Sequence, residues 1–109
     1  MEIQRVGQNF GMSMVKTKEA ERFINRLPYD EAIEIKVIEM DSKHNPVDFY
    51  VSTIKKGNKE KIQVKIENKT FVQNFLKNPV ETIRQGFNYA EKLNAEQQLV
   101  KNMSRPRFN

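Results

Sequence analysis

With 109 residues and a formal net charge of +5, the chain has room for one hydrophobic core and carries a surplus of lysine and arginine. Cysteine is absent, which excludes disulfide frameworks, thiolate zinc sites and thiol catalysis. No apolar run approaches the ~18 residues that span a bilayer, and the start, MEIQRVGQNFGMSM, shows no signal-peptide core, so a cytoplasmic protein without membrane contact is expected.

The weight of Lys, Asn and Ile fits an AT-rich genome, such as that of a low-GC bacterium or its phages. The charge is polarised along the chain. Residues 28–48 carry an acidic excess (Asp30, Glu31, Glu34, Glu39, Asp41 and Asp48 against Lys36 and Lys43), residues 49–69 a basic one, and the tail is basic again.

Residues 1–9 read as an N-terminal arm, 10–101 as one α+β domain and 102–109 as a basic tail. Phe10, Met12 and Met14 alternate and predict a short strand. Thr17 is placed to cap a helix with Glu19 and Glu21 in its first turn, where the helix dipole favours acids. Ala20, Phe23, Ile24 and Leu27 then form one apolar stripe, and Pro28 ends it. Ile33, Ile35 and Val37 alternate with Glu34 and Lys36 and predict a second strand; the phase slips at Ile38 and Met40, where a bulge or the strand end is expected. Asp41 to Pro46 reads as a turn.

Residues 49–66 give the sharpest local pattern. Gly57-Asn58 suits a two-residue type I′ turn. The register it imposes pairs Lys56 with Lys59, Ile54 with Lys61, Ser52 with Gln63 and Tyr50 with Lys65 on one face. Phe49, Val51, Thr53, Ile62, Val64 and Ile66 fall on the other. A slip of one residue would destroy this sorting. Thr70 then predicts the cap of a short helix containing Phe71, Val72, Phe75 and Leu76. Asn78 as N-cap, Pro79 at the first helical position and Glu81 two residues on predict a long final helix. Its stripe runs through Val80, Ile83, Phe87, Ala90 and Leu93 and weakens beyond Asn94. The expected architecture is a two-layer α+β sandwich of order β-α-β-β-β-α, an antiparallel sheet with two main helices packed on one face.

No catalytic or metal-binding motif is present. His44 stands alone in a turn, without a second ligand at metal spacing. The four glycines are scattered, which excludes a glycine-rich phosphate loop. Glu34, Glu39, Asp41 and Asp48 fit a solvated acidic face better than a carboxylate pair in a pocket. A non-enzymatic protein without cofactor or metal is the expectation.

The candidate binding residues are Tyr50, Lys55, Lys56, Lys59, Lys61, Gln63 and Lys65 of the hairpin, with Arg105 and Arg107 of the tail. Lysine, aromatic and amide side chains on one face suit a phosphate backbone and its bases. The plainer account of the lysines is that they keep a hairpin edge soluble. Nucleic acid is the first partner to consider, and an acidic protein surface, met by an adaptor or inhibitor, is the second. The element order is similar to that of ribosome-hibernation factors, and its last five elements to double-stranded-RNA-binding domains. The lysine-rich start of the last helix in the RNA-binding domains is replaced here by Asn78-Pro79-Val80-Glu81-Thr82, and the final helix lacks the basic character of hibernation factors. The likeness is one of element order, and no family follows from it.

Overall fold

A computed structural model describes residues 14–74 and 78–103. The expected arm at 1–9, Phe10 and Met12, Phe75 and Leu76, and the tail from 104 onward lie outside the described residues. Four strands, β1 (Met14–Lys16), β2 (Phe49–Lys56), β3 (Lys59–Ile66) and β4 (Lys69–Val72), form one sheet in that order. Three helices, α1 (Lys18–Asn25), α2 (Tyr29–Ser42) and α3 (Pro79–Met103), make up the second layer. The mixed α+β architecture with helices on the sheet is as expected, and the element order is β-α-α-β-β-β-α.

The hairpin adopts the register that its turn and its apolar pattern dictate. Val51 lies opposite Val64, Thr53 opposite Ile62, Ser52 opposite Gln63 and Lys56 opposite Lys59. Phe49, Val51, Ile62, Val64 and Ile66 are fully buried against the helices. The turn differs in type. Gly57 takes φ 61° and no positive φ occurs at Asn58, the signature of a type II′ turn rather than type I′. Both types twist with the strands, so the register survives the change.

Two segments exchange roles relative to the sequence expectation. Residues 29–42 are helical, not a strand with a bulge. Ile35, Ile38 and Ser42 are buried and Ala32 and Glu39 half-buried, a helical spacing that the alternation of Ile33, Ile35 and Val37 conceals. Asp30 and Glu31 in the first turn complement the helix dipole. Conversely, residues 69–72 form a strand, not a capped helix: Phe71 lies opposite Val64 and Lys69 opposite Ile66. The connecting turn, Glu67-Asn68, has Glu67 at φ 53°, a left-handed conformation that costs a non-glycine residue about 1–2 kcal/mol. Pairing with β3 and the apposition of Phe71 with Tyr89 (5.9 Å between centroids, edge to face) offset that cost.

The sheet is also mixed rather than wholly antiparallel. Met14 is buried and pairs with Phe49 in parallel, because α1 and α2 intervene and return the chain from the opposite end. Thr17 caps α1 as expected, its Oγ1 accepting from the Ala20 N–H at 3.1 Å. Lys16 Nζ reaches both carboxylate oxygens of Glu39 at 3.0 Å, which ties the edge strand to α2.

Asn78 caps α3, its Oδ1 accepting from the Glu81 N–H at 2.8 Å, with Pro79 at the first helical position. Val80, Ile83 and Ala90 are buried, Phe87 and Leu93 pack beside them, and every residue from Ala95 to Lys101 is exposed. Gly86 sets the approach of α3 to the sheet. A Cβ there would meet Val64 Cγ1 at 2.5 Å and Phe49 Cδ2 at 3.6 Å.

Gly86→Ala is therefore expected to lower stability by about 1–3 kcal/mol in urea unfolding, since overpacking outweighs the helix-propensity gain of about 1 kcal/mol. Glu67→Gly should do the reverse. Relief of the left-handed strain exceeds the added freedom of the unfolded chain, and a rise of about 2–4 °C in melting temperature is expected by calorimetry.

Candidate functional site

Because all three helices lie on one side, no element among the described residues covers the other face of the sheet, called the open face below. Strand alternation decides what it carries. One row across all four strands reads Val15, Tyr50, Lys65, Thr70, and the next reads Ser52, Gln63, Val72. Toward the hairpin tip follow Ile54 with Lys61, then Lys56 with Lys59. With neighbouring strands about 4.8 Å apart, the full row spans about 15 Å. Tyr50 is half exposed at its centre, with Val15 and Val72 exposed on the flanking strands.

The structure thus gathers Tyr50, Lys56, Lys59, Lys61, Gln63 and Lys65 on one surface. Lys55 is not among them: it lies opposite Glu60 on the helix side of the hairpin, since odd-numbered residues of β2 face that way. Arg105 and Arg107 lie outside the described residues. Sequence reasoning missed Val15, Thr70 and Val72. Thr70 and Val72 sit on a strand taken for a helix, and β1 is too short to show its partner by pattern alone.

Ion pairing differs between the faces. On the helix side, three cations meet carboxylates: Lys16 with Glu39 at 3.0 Å, Arg26 with Glu60 at 2.9 Å and Arg84 with Glu34 at 3.3 Å. None of Lys56, Lys59, Lys61 and Lys65 forms an ion pair among the described residues. No strand residue of the open face is an acid. Among the described residues, negative charge lies beyond the end of the sheet remote from the hairpin tip. There Asp48 and Glu67 line a shallow depression with Pro46, Val47, Tyr50 and Gln97. The open face therefore runs from a cationic tip to an acidic end, with Tyr50 between them.

The other groups weighed from the sequence are placed elsewhere. Glu34, Glu39 and Asp41 belong to α2 rather than to a strand, and Glu34 and Glu39 are engaged by Arg84 and Lys16. His44 is exposed in the turn after α2, and the described residues contain no cluster of three metal-ligating side chains. Tyr89 packs against Phe71 on the helix side, with Lys69 Nζ 5.7 Å from its ring centre. A second cleft lies between Pro46 and the far part of α3, lined by Leu93, Asn94, Gln97, Val100 and Lys101. No helix among the described residues is long and apolar enough to cross a membrane. Comparison of the chain with protein families, curated proteins and solved structures finds no match.

Proposed function

We propose that the protein is a non-enzymatic cytoplasmic binding module that holds nucleic acid against its open sheet face. The observation that carries this reading is the segregation of charge. On the helix side Lys16, Arg26 and Arg84 meet carboxylates, whereas no lysine of the open face does so among the described residues. Lys56, Lys59, Lys61 and Lys65 form an uncompensated set along about two strands, spaced to follow a phosphate backbone. Tyr50 supplies a flat ring on which a base can stack, and Gln63 supplies a donor and an acceptor for a base edge. The acidic depression formed by Asp48 and Glu67 repels phosphate, so the bound strand is confined between Tyr50 and the hairpin tip.

Val15, Ile54 and Val72 favour a second reading. Apolar side chains among lysines suit an acidic protein surface with a greasy centre, as an adaptor or inhibitor would meet.

Fluorescence anisotropy with a labelled single-stranded oligonucleotide separates the two. Four phosphate contacts give a log–log salt slope of about −3, a loss of about 60-fold in affinity between 50 and 200 mM salt. Replacing Lys59, Lys61 and Lys65 together by Glu should abolish binding, and Lys55→Glu should leave it within about threefold. Salt-independent binding, or none at low salt, overturns the nucleic-acid reading. A partner captured from cell extract that survives nuclease treatment and is lost in the triple variant supports the protein reading.

A further inference from the structure

The helix that the sequence disguises as a strand is apolar on two opposite faces. Its inner face, Ile35 and Ile38, is buried in the core. Its outer face presents Tyr29 at 81% exposure, Ile33 at 39%, Val37 at 50% and Met40 at 62%. The intervals of four, four and three residues keep these side chains on one stripe along the helix. They are not scattered surface hydrophobes but one continuous line on the surface of a helix that is otherwise strongly acidic. A helix apolar on both sides is expected to be covered on both.

The charged residues beside the stripe indicate what covers it. Taking Ile33, Val37 and Met40 as the seam, Lys36 lies on one flank and Asp30, Glu34 and Asp41 on the other. Glu34 is already held by Arg84, at 3.3 Å. Lys36 and Asp41 are both exposed and have no ion-pair partner among the described residues. When two such helices run parallel, each flank meets the opposite flank of its neighbour, five residues further on. Lys36 then faces Asp41 of a second copy, and two-fold symmetry makes the same pair twice. In the antiparallel arrangement like flanks meet, and lysine faces lysine.

We infer that α2 is a homodimer interface in which two copies pack their Tyr29–Ile33–Val37–Met40 stripes in parallel, closed by reciprocal Lys36–Asp41 pairs. The inference is independent of what the sheet binds. The stripe lies in the helix layer, so this packing leaves both open sheet faces uncovered, and a dimer would present two of them to one long polyanion. Four apolar side chains from each copy make a small interface, so association is weak.

Sedimentation velocity on nuclease-treated full-length protein, from about 10 µM to about 1 mM, tests it. A reversible monomer–dimer equilibrium is expected. Val37→Glu should raise the dimer Kd by about tenfold or more, as a charge enters the seam. Lys36→Glu and Asp41→Lys should each raise it about three- to tenfold by setting like charges together at two symmetric positions, and the double swap should return it to within about twofold of the original. All three sites are exposed, and far-UV circular dichroism at each concentration verifies that the variants are folded. A monomer throughout the range overturns the inference, as does a dimer indifferent to Val37→Glu. Failure of the double swap to rescue overturns the parallel arrangement closed by reciprocal Lys36–Asp41 pairs.

Discussion

The ladder between β2 and β3 is the contact on which every other element relies. Its register places Phe49, Val51, Ile62, Val64 and Ile66 on one side, and that side becomes the floor on which α1 and α3 pack. β1 finds its place by pairing with Phe49, Tyr50 and Val51, and β4 by pairing with residues 63–66. A slip of one residue would turn lysines into the core and valines into solvent, so no partial version of this sheet is tolerable. Gly57 enforces the register locally with a positive φ, and Gly86 enforces it from above, since only the absence of a side chain lets α3 descend onto Val64.

Closure of one face is what makes the other face available. The three ion pairs on the helix side join β1 to α2, α1 to β3 and α2 to α3, and each consumes a cation. The exposed Arg84–Glu34 pair and the Arg26–Glu60 pair, exposed on its arginine side, add little stability, from nothing to about 1 kcal/mol each, whereas Lys16–Glu39 is half-buried. Their larger effect is on where charge is left over: α2 keeps an acidic excess, and the lysines of the sheet's open face have no ion-pair partner among the described residues. The lysines at the hairpin tip also protect against strand-to-strand association. Solubility and the proposed recognition thus place the same demand on the same residues.

What could be read from the sequence depended on whether two local signals agreed. For the hairpin, turn chemistry and alternation pointed to one register, and for α1 and α3 the capping residues Thr17 and Asn78 agreed with the apolar spacing. For 29–42 they conflicted. Ile33 and Val37 face outward while Ile35 and Ile38 face inward, so the helix has no single apolar period and the strand-like alternation dominates locally. The deeper signal was Pro28 followed by Asp30 and Glu31, which marks a helix start. The strand at 69–72 was hidden because its turn uses Glu67 in a conformation that patterns reserve for glycine or asparagine. Of the open face, the hairpin's contribution was legible, and the residues of β1 and β4 were not, since their position depends on which strands they join.

The parallel pairing of β1 with β2 has a kinetic consequence. Residues 49–72 close their contacts through two tight turns, and α3 follows next in the chain, so this part assembles through short loops. β1, by contrast, is separated from its neighbour by α1 and α2, and pairing there gains three residues of ladder, the Lys16–Glu39 pair and the burial of Met14. The longer closure is expected to place the docking of β1 later in folding than the hairpin. The lysine-bearing hairpin is then the part whose shape depends least on the rest of the chain being in place.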